Sequence, residues 1–321
     1  MANQENSKNQ GQILEKGLIM RSTGSWYEIL DEQNKIRKGR LKGKLRLKGY
    51  RFTNPIAVGD YVDFELEDED ENTVAIVNIH ERKNYIVRQS TRKKYHGHII
   101  SSNLDLAIVI ATLAMPRTSL GFIDRFLVAA ESSNVPAAIF FNKADLLDSE
   151  GIEFLEELCD LYESLGYQTL IISALEKQNL EEAKEMVKGK VSLVAGHSGV
   201  GKSTLLNALV PNLAIRTKEV STFANKGVHT TTFAEMFEIM PETYLIDTPG
   251  IKELGIIGLD ENEITFYFPE LKALVQECKF NNCTHTHEPD CKVLEALEAG
   301  EIAPTRYHSY LSILEGYDNR R

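Results

Sequence analysis

Apolar residues change their spacing twice along the chain. From Gly17 to Ile86 they alternate with polar ones in short runs, "SWYEIL", "LRLKGYRF", "DYVDFEL" and "TVAIVNIH", broken at Asn34, Gly39, Gly43, Pro55 to Gly59 and an acidic run. A period of two with such frequent punctuation predicts a small all-β unit, most simply a five-stranded barrel of the OB type. Arg88 to Asn103, "RQSTRKKYHGHIISSN", has little apolar periodicity and reads as a linker. Beyond it the apolar runs become continuous: "LDLAIVIAT", "PAAIFFN", "QTLIIS", "VSLVAG", "FAEMFEI" and "TYLIDTPG" predict buried strands, the first four separated by helix-length stretches. In "DSEGIEFLEELCDLYESLG", Ile152, Leu155, Leu158, Cys159, Tyr162 and Leu165 fall at helical spacing, with Ser149 placed to cap the start and Gly166 to end it. Strands alternating with helices predict a doubly wound α/β domain. The remainder holds two helices, one before Gly300 and one beginning at Pro304. The predicted layout is a disordered tail over 1–12, a barrel over 13–87, a linker over 88–103, an α/β domain over 104–257 and a mainly helical domain over 258–321.

At 321 residues the chain exceeds one ordinary core, in keeping with a multidomain division. No apolar run approaches the ~18 residues a membrane span needs; the closest, "LDLAIVIATLAM", is short and contains Asp105. The polar start "MANQENSKNQGQ" lacks the basic-then-apolar layout of a secretion signal, so a cytoplasmic protein without a membrane partner is expected. A net charge of -11 argues against nucleic acid only if it is evenly spread, and it is not. Lys35 to Arg51 carries nine cations and no acid, Arg82 to Lys94 six more, and the acidic block "ELEDEDE" lies between. Arg37, Lys38, Arg40, Lys42 and Lys44 are therefore candidate contacts to RNA phosphates.

The strongest chemical signal is "GHSGVGKST", between the strand-like "VSLVA" and the helix-like "TLLNALV". Its glycines let backbone N–H groups curl round phosphates, Lys202 reaches the outer phosphate oxygens, and Ser203 offers its hydroxyl to Mg²⁺. The candidate triphosphate contacts are Gly196, His197, Ser198, Gly199, Val200, Gly201, Lys202, Ser203 and Thr204. At "DTPG", Asp247 ends a strand where Mg²⁺ would lie, and Gly250 can give its N–H to the γ-phosphate. "NKAD" supplies Asn142, Lys143 and Asp145, and the Asp145 carboxylate matches the paired N1 and N2 donors of guanine, which adenine lacks. Ser173 and Ala174 of "SAL" can complete the base pocket through backbone N–H groups. In conventional GTPases the base-reading loops follow the phosphate loop, whereas here they precede it with cyclic order preserved. The domain reads as a circularly permuted P-loop GTPase, so the segment after "DTPG" leads straight into the C-terminal domain.

Between Ser203 and Asp247 lies "KGVHTTTFAE", in which Thr231, or alternatively Thr230, would coordinate Mg²⁺. Ile251 follows "DTPG" where many GTPases place the glutamine that positions water, and it cannot do so. His229 is the candidate substitute, against the reading of a loop histidine that contacts nothing. "CKFNNCTHTHEPDC" offers Cys278, Cys283 and Cys291 with His285, or by spacing His287, a set suited to a closed and therefore structural tetrahedral Zn²⁺ site.

Barrel, permuted loops and cysteine cluster together resemble the RsgA family, also called YjeQ or YloQ, of bacterial small-ribosomal-subunit biogenesis GTPases, across the whole chain. The marks are "NKAD" ahead of "GHSGVGKST", then "HTTT", "DTPGI" and Cys-x4-Cys-x-His-x5-Cys. The resemblance implies an OB-fold domain, a permuted GTPase domain and a zinc domain. It implies slow hydrolysis of GTP to GDP stimulated by the small (30S) subunit, rRNA contact and a role in late subunit maturation; a monomer is expected. Lys202 and Ser203 would serve phosphate and Mg²⁺, Asn142 and Asp145 guanine, and His285 rather than His287 the zinc. His229 matches the switch histidine considered catalytic, with Lys202 and Thr231 beside it. Val228 stands where the family's "GRHTTT" has arginine, so the contacts of that arginine are not carried over.

Overall fold

The computed structural model describes residues 14–42, 55–68, 73–89, 97–209, 234–248 and 261–316. Strands β1 (Glu15–Ser22), β2 (Tyr27–Asp31), β3 (Ile36–Leu41), β4 (Tyr61–Asp68) and β5 (Thr73–Ile79) form the first unit. Their order β1-β2-β3-β5-β4 is closed by pairing of β1 with β4, giving a five-stranded barrel, antiparallel except for β3 beside β5. Ile19, Tyr27, Ile29, Ile56, Val62, Phe64, Val74 and Ile76 fill it. A Cβ on Gly17 would come within 2.3 Å of Ile29 and one on Gly39 within 2.5 Å, so both neighbouring strands must be bare where Ile29 enters the core. Most of the expected strand "LRLKGYRF" lies outside the described residues. Strand β3 lies instead within the first half of the cationic run, where inward-facing Gly39 gives no apolar signal.

The segment expected as a linker is not one throughout. Strand β6 (Tyr85–Gln89) pairs antiparallel with β7 (Gly97–Ser102). The hairpin is fastened to the barrel through Asp60, which is fully buried. Asp60 accepts from Arg82 Nε and Nη2 at 2.6 Å, from Ser102 Oγ at 2.6 Å and from the Ala57 N–H at 2.8 Å. Ile86 and Ile99 are buried as well, but the bonds that fasten the hairpin at Asp60 are polar, and apolar periodicity could not reveal those.

The central domain runs β8 (Leu106–Ala111), α1 (Leu120–Ser132), β9 (Ala137–Phe141), α2 (Ser149–Ser164), β10 (Gln168–Ile171), α3 (Leu180–Val187), β11 (Val191–Ala195), α4 (Lys202–Leu209), β12 (Glu235–Met240) and β13 (Thr243–Asp247). Strand order is β10-β9-β8-β11-β13-β12, parallel except for β12, whose one register pair with β1, Glu235 to Arg21, joins this sheet to the barrel. Along β8, Ala107, Val109 and Ala111 enter one core and Leu106, Ile108 and Ile110 the other, so helices cover both faces. The chain leaves β8 toward β9 and β10, then returns to lay β11 on its other side. The crevice between the ends of β8 and β11 is thus the topological switch point at which such sheets bind ligands. Helix α2 buries Leu155, Leu158, Cys159 and Tyr162 as its spacing predicts, but Asp148, not Ser149, caps it by accepting from the Gly151 N–H at 2.9 Å.

The C-terminal part comprises a 3-10 segment (Glu261–Tyr267), α5 (Pro269–Lys272), α6 (Lys292–Glu298) and α7 (Pro304–Leu314). Its core includes Val128 of α1, so it is packed onto the central domain. Arg306 of α7 is buried at the joint, donating to Asp124 at 2.7 Å and to both Glu270 oxygens at 2.7 and 3.2 Å, while Tyr162 donates to Asp124 at 2.9 Å. Its guanidinium lies 4.7 Å from the Phe268 ring centre. Removing one member of such a network strands a buried charge, at a cost of about 3–5 kcal/mol. Arg306→Ala should lower the urea midpoint followed by helical circular dichroism accordingly; an unchanged midpoint would mean that the network contributes nothing to docking the two parts.

Candidate functional site

Strand β11 is followed by Gly196, whose φ of +149° and a Cβ position 2.5 Å from the Ile110 carbonyl oxygen exclude a side chain. The loop then turns over the sheet edge and becomes α4 at Lys202. Lys202 Nζ is folded back onto the loop, donating to the carbonyls of Gly196 at 2.6 Å and His197 at 3.0 Å. Burial pushes the Lys202 pKa down, opposed by Asp247; burial likewise pushes that of Asp247 up, opposed by Lys202. Lys202 and Asp247 are thus two half-buried opposite charges, one opening α4 and the other ending β13, and Asp247 Oδ1 has no hydrogen-bond partner among the described residues. An uncompensated buried acceptor beside a phosphate loop suits a cation there. Next to Asp247, Thr248 ties the end of β13 to the Val194 carbonyl at 3.0 Å.

Asn142, at the end of β9, donates from Nδ2 to the Val200 carbonyl at 2.8 Å and accepts from the Ala174 N–H at 2.9 Å. One buried amide therefore joins the base-reading loop, the phosphate loop and the "SAL" loop. Asp145 Oδ1 accepts from Ser173 Oγ at 2.5 Å, and Ser173 Oγ accepts from the Glu176 N–H at 3.0 Å, which orients a carboxylate that is otherwise exposed. Lys143 adopts φ +66° and donates to the Met115 carbonyl at 2.6 Å. His197 lies against Phe122 with ring centres 3.9 Å apart. Ser198, Gly199, Val200, Gly201, Ser203 and Thr204 follow in the same loop and first turn of α4. His229, Thr230, Thr231, Gly250 and Ile251 lie outside the described residues.

The C-terminal cluster brings together one donor atom each from Cys278, Cys283, His285 and Cys291, all within 4.8 Å of one another. His285 Nδ1 is 3.3 Å from Cys291 Sγ and 3.7 Å from Cys278 Sγ, and those sulfurs are 4.0 Å apart. A tetrahedron with Zn–S and Zn–N bonds of about 2.3 and 2.0 Å has edges of roughly 3.5–3.8 Å. The donors are therefore spaced for one zinc. Burial pushes the Cys283 thiol up to about 12 and that of Cys291 up as well, and burial keeps His285 neutral. Without a cation these thiols stay protonated; a metal would release the protons and bind the thiolates. His287 stands outside the cluster with Nδ1 2.7 Å from Thr286 Oγ1. Although burial acts against it, Glu288 is held far below the usual carboxylate range by the Thr284 hydroxyl and by N–H groups of the ligand loop. Tyr307 and Tyr310 of α7 donate to the carbonyls of His285 and Thr284 at 2.6 and 2.8 Å.

The barrel's cations are partly occupied. Arg37 Nε donates at 3.0 Å to Asp31, which also accepts from the N–H groups of Gln33 and Lys35, so this arginine belongs to the β2–β3 turn. Arg40 pairs with Glu67 at 3.1 Å and Lys42 pairs with Glu65; Lys38 is exposed, and Lys44 lies outside the described residues.

Residues 79–257 match the family model for the RsgA GTPase, and residues 16–74 that for the RsgA N-terminal domain. The chain belongs to the RsgA GTPase family. It is 47% identical over 300 residues to a small ribosomal subunit biogenesis GTPase RsgA from Bacteroides fragilis, covering 94% of this chain and 96% of that one. For the protein of that description from Flavobacterium johnsoniae the identity is 48% over 301 residues, covering 94% and 93%. Among solved structures, YjeQ from Thermotoga maritima superimposes with a TM-score of 0.76 at 34% identity, over 96% of this chain and 100% of the other. YloQ, a circularly permuted GTPase, gives a TM-score of 0.72 at 26% identity, over 98% and 99%.

For this RsgA-family chain, sequence reading overlooked the loop over residues 112–118, which touches both nucleotide loops. Its only signal is a proline between two threonines, the first just after the end of β8 and the second just before the cap of α1. Asn142, expected as a base contact, has both ends of its amide engaged by the neighbouring loops. The donor set of the C-terminal cluster leads to a direct test. Purified protein should hold one zinc by plasma mass spectrometry, and Cys283→Ser should lose it with nucleotide affinity nearly intact; metal-free parent protein from a reducing, chelator-free preparation would refute the site.

Proposed function

We propose that this chain is a cytoplasmic, monomeric GTPase that acts in late maturation of the small (30S) ribosomal subunit, binding rRNA and hydrolysing GTP to GDP and phosphate when the subunit stimulates it. The observation that carries the reading is the Asn142 amide, which holds base-reading, phosphate and "SAL" loops together although the chain visits them in permuted order. Its support in biogenesis is kinship with proteins named for that role.

In this reading Asp145 accepts from the guanine edge, Ala174 and Ser173 flank it, and the N–H groups from His197 to Thr204 surround the phosphates. Lys202, now resting on two loop carbonyls, would turn to the outer phosphate oxygens. Ser203, Asp247 and Thr231 would hold Mg²⁺, and Gly250 the γ-phosphate. When bound, Mg²⁺ neutralises and orients the outer phosphates. Zinc on Cys278, Cys283, His285 and Cys291 would stabilise the C-terminal fold. Ile251 cannot position water, so His229 is assigned that task, completed only on the subunit.

His229→Ala should keep GTP affinity and GTP-dependent subunit binding yet lose about 10²- to 10⁴-fold in single-turnover hydrolysis on saturating small subunits. A rate within about threefold of the parent would move the missing group to the ribosome.

Lys38, Arg40, Lys42 and Lys44 are assigned to rRNA phosphates, with Arg37 mainly supporting their strand. Replacing those four by glutamine should flatten the log–log salt dependence of subunit binding by roughly 0.7–0.9 for each phosphate no longer neutralised. Arg37→Gln should act more on barrel stability than on the slope. Equal slopes for the fourfold variant and parent would make this face a bystander.

A further inference from the structure

One row of ionisable side chains crosses from the barrel into the nucleotide site. Register pairs set Glu28 of β2 opposite Arg21 of β1, Arg21 opposite Glu235 of β12, and Glu235 opposite Asp247 of β13. Directly opposed residues stand on the same face of a sheet with Cβ atoms about 4.5–5.5 Å apart, so the four form a single ladder. Its signs run minus, plus, minus, minus. In the first three places opposite charges meet loosely: Arg21 Nη1 lies 3.7 Å from Glu28 and Nε 3.9 Å from Glu235, and Nε has no hydrogen-bond partner among the described residues. The cation is shared between two acids and committed to neither. The last step puts two carboxylates side by side, which destabilises a sheet. Lys202 opposes Asp247, but its ammonium donates to the Gly196 and His197 carbonyls, and Asp247 Oδ1 has no hydrogen-bond partner among the described residues. Burial raises the pKa of Glu235; Arg21 opposes that rise, whereas Glu28 and Asp247 add to it. A like-charge pair beside a phosphate loop gains a purpose once a divalent cation joins it.

We propose that Glu235 is a positioning residue for the Mg²⁺ of the bound nucleotide, and that Arg21 of the barrel sets how much of its charge the ion feels. This rests on the Mg²⁺ reading of Asp247 given above and deepens it. Asp247 would be the ligand, and Glu235 acts by charge alone. An ion at Asp247 turns the repulsion between the two carboxylates into attraction of both toward the ion, while Arg21, by neutralising Glu235, works against that gain. Arg21 belongs to β1 and Glu235 to β12, and these strands share one register pair. The seating of the barrel against the sheet therefore enters the metal affinity directly, without any contact between barrel and nucleotide.

The two sides of the ladder make opposite demands on one measurement. Mg²⁺ is titrated into the full, zinc-loaded chain holding fluorescent GDP, in chelator-free buffer, and the half-saturating concentration is read. Glu235→Gln should raise that concentration about three- to tenfold, the scale of one partly exposed, solvent-screened charge near a divalent ion. Arg21→Gln should lower it by a similar factor, and Arg21→Lys should restore the parent value. The double variant should follow Glu235→Gln to within about twofold, because Arg21 acts through that carboxylate. A merely structural pair would weaken Mg²⁺ in both single variants, so shifts of the same sign overturn the proposal. Should Arg21→Gln fail to fold, Glu28→Gln reads the ladder from its other end: with Arg21 left wholly to Glu235 the concentration should rise, and the absence of a rise overturns the proposal. Asp247→Asn is the reference and should lose the Mg²⁺ response. If it does, while Glu235→Gln and Arg21→Gln stay within about twofold of the parent, the metal reading stands and the ladder is refuted. If Asp247→Asn titrates like the parent, the metal reading fails and the role of Glu235 falls with it.

Discussion

A parallel sheet delivers its loops to one edge, but it does not by itself hold them in register with one another. Here that task falls to the side chain of Asn142, which is 5% exposed and bonds to backbone groups of the two other loops. Gly201 is pressed so close to this amide that a Cβ would stand 2.3 Å from Nδ2. Breaking the amide would leave a buried carbonyl and a buried N–H without partners, each costing about 1–3 kcal/mol. Because the clamp acts through space, it is indifferent to whether the chain reaches the phosphate loop before or after the base loop. Circular permutation changes connectivity and leaves this geometry intact.

Helix α1 extends the same constraint outward. Phe122, in its first turn, packs against His197 of the phosphate loop; Asp124 holds Arg306; Val128 enters the C-terminal core. Three neighbouring positions on one helix therefore touch the nucleotide loop and the domain that carries the metal cluster. Tyr307 and Tyr310 continue the chain of contacts from α7 to the cluster's own loop. The C-terminal domain is fastened at both the polypeptide link after β13 and this packed face.

The elements most legible in sequence were those whose physics is periodic or compositional. Strand β8 is apolar at all six positions because both its faces are covered, and the phosphate loop, base loop and cysteine cluster announce themselves by spacing. What escaped was polar burial. Ser101, Ser102 and Asp60 are all fully buried, yet their residue types predict exposure, so the hairpin they anchor read as a linker. Arg306 escaped for the same reason, its partner Asp124 lying 182 residues away. Strand β3 was hidden by a glycine at its inward position and cations at three of its other five positions. Spacing alone left His285 and His287 equivalent; the backbone of His285, at φ +55°, turns its ring into the cluster while that of His287 faces Thr286.

The strand order also determines what the chain experiences as it is made. Strand β8 occupies the middle of the sheet, but one of its neighbours, β11, ends only at Ala195. Synthesis adds roughly 5–20 residues per second, so for several seconds a wholly apolar strand emerges with one long edge unpaired. Such an edge is a template for mispairing. In an unpermuted relative the phosphate-loop strand is made first and waits for the others. Here the base-reading half must wait for the phosphate-binding half, and until α4 is complete the nascent domain has no nucleotide to stabilise it. The rearranged order thus shifts the vulnerable interval of folding onto a strand with no polar side chain to keep it in solution.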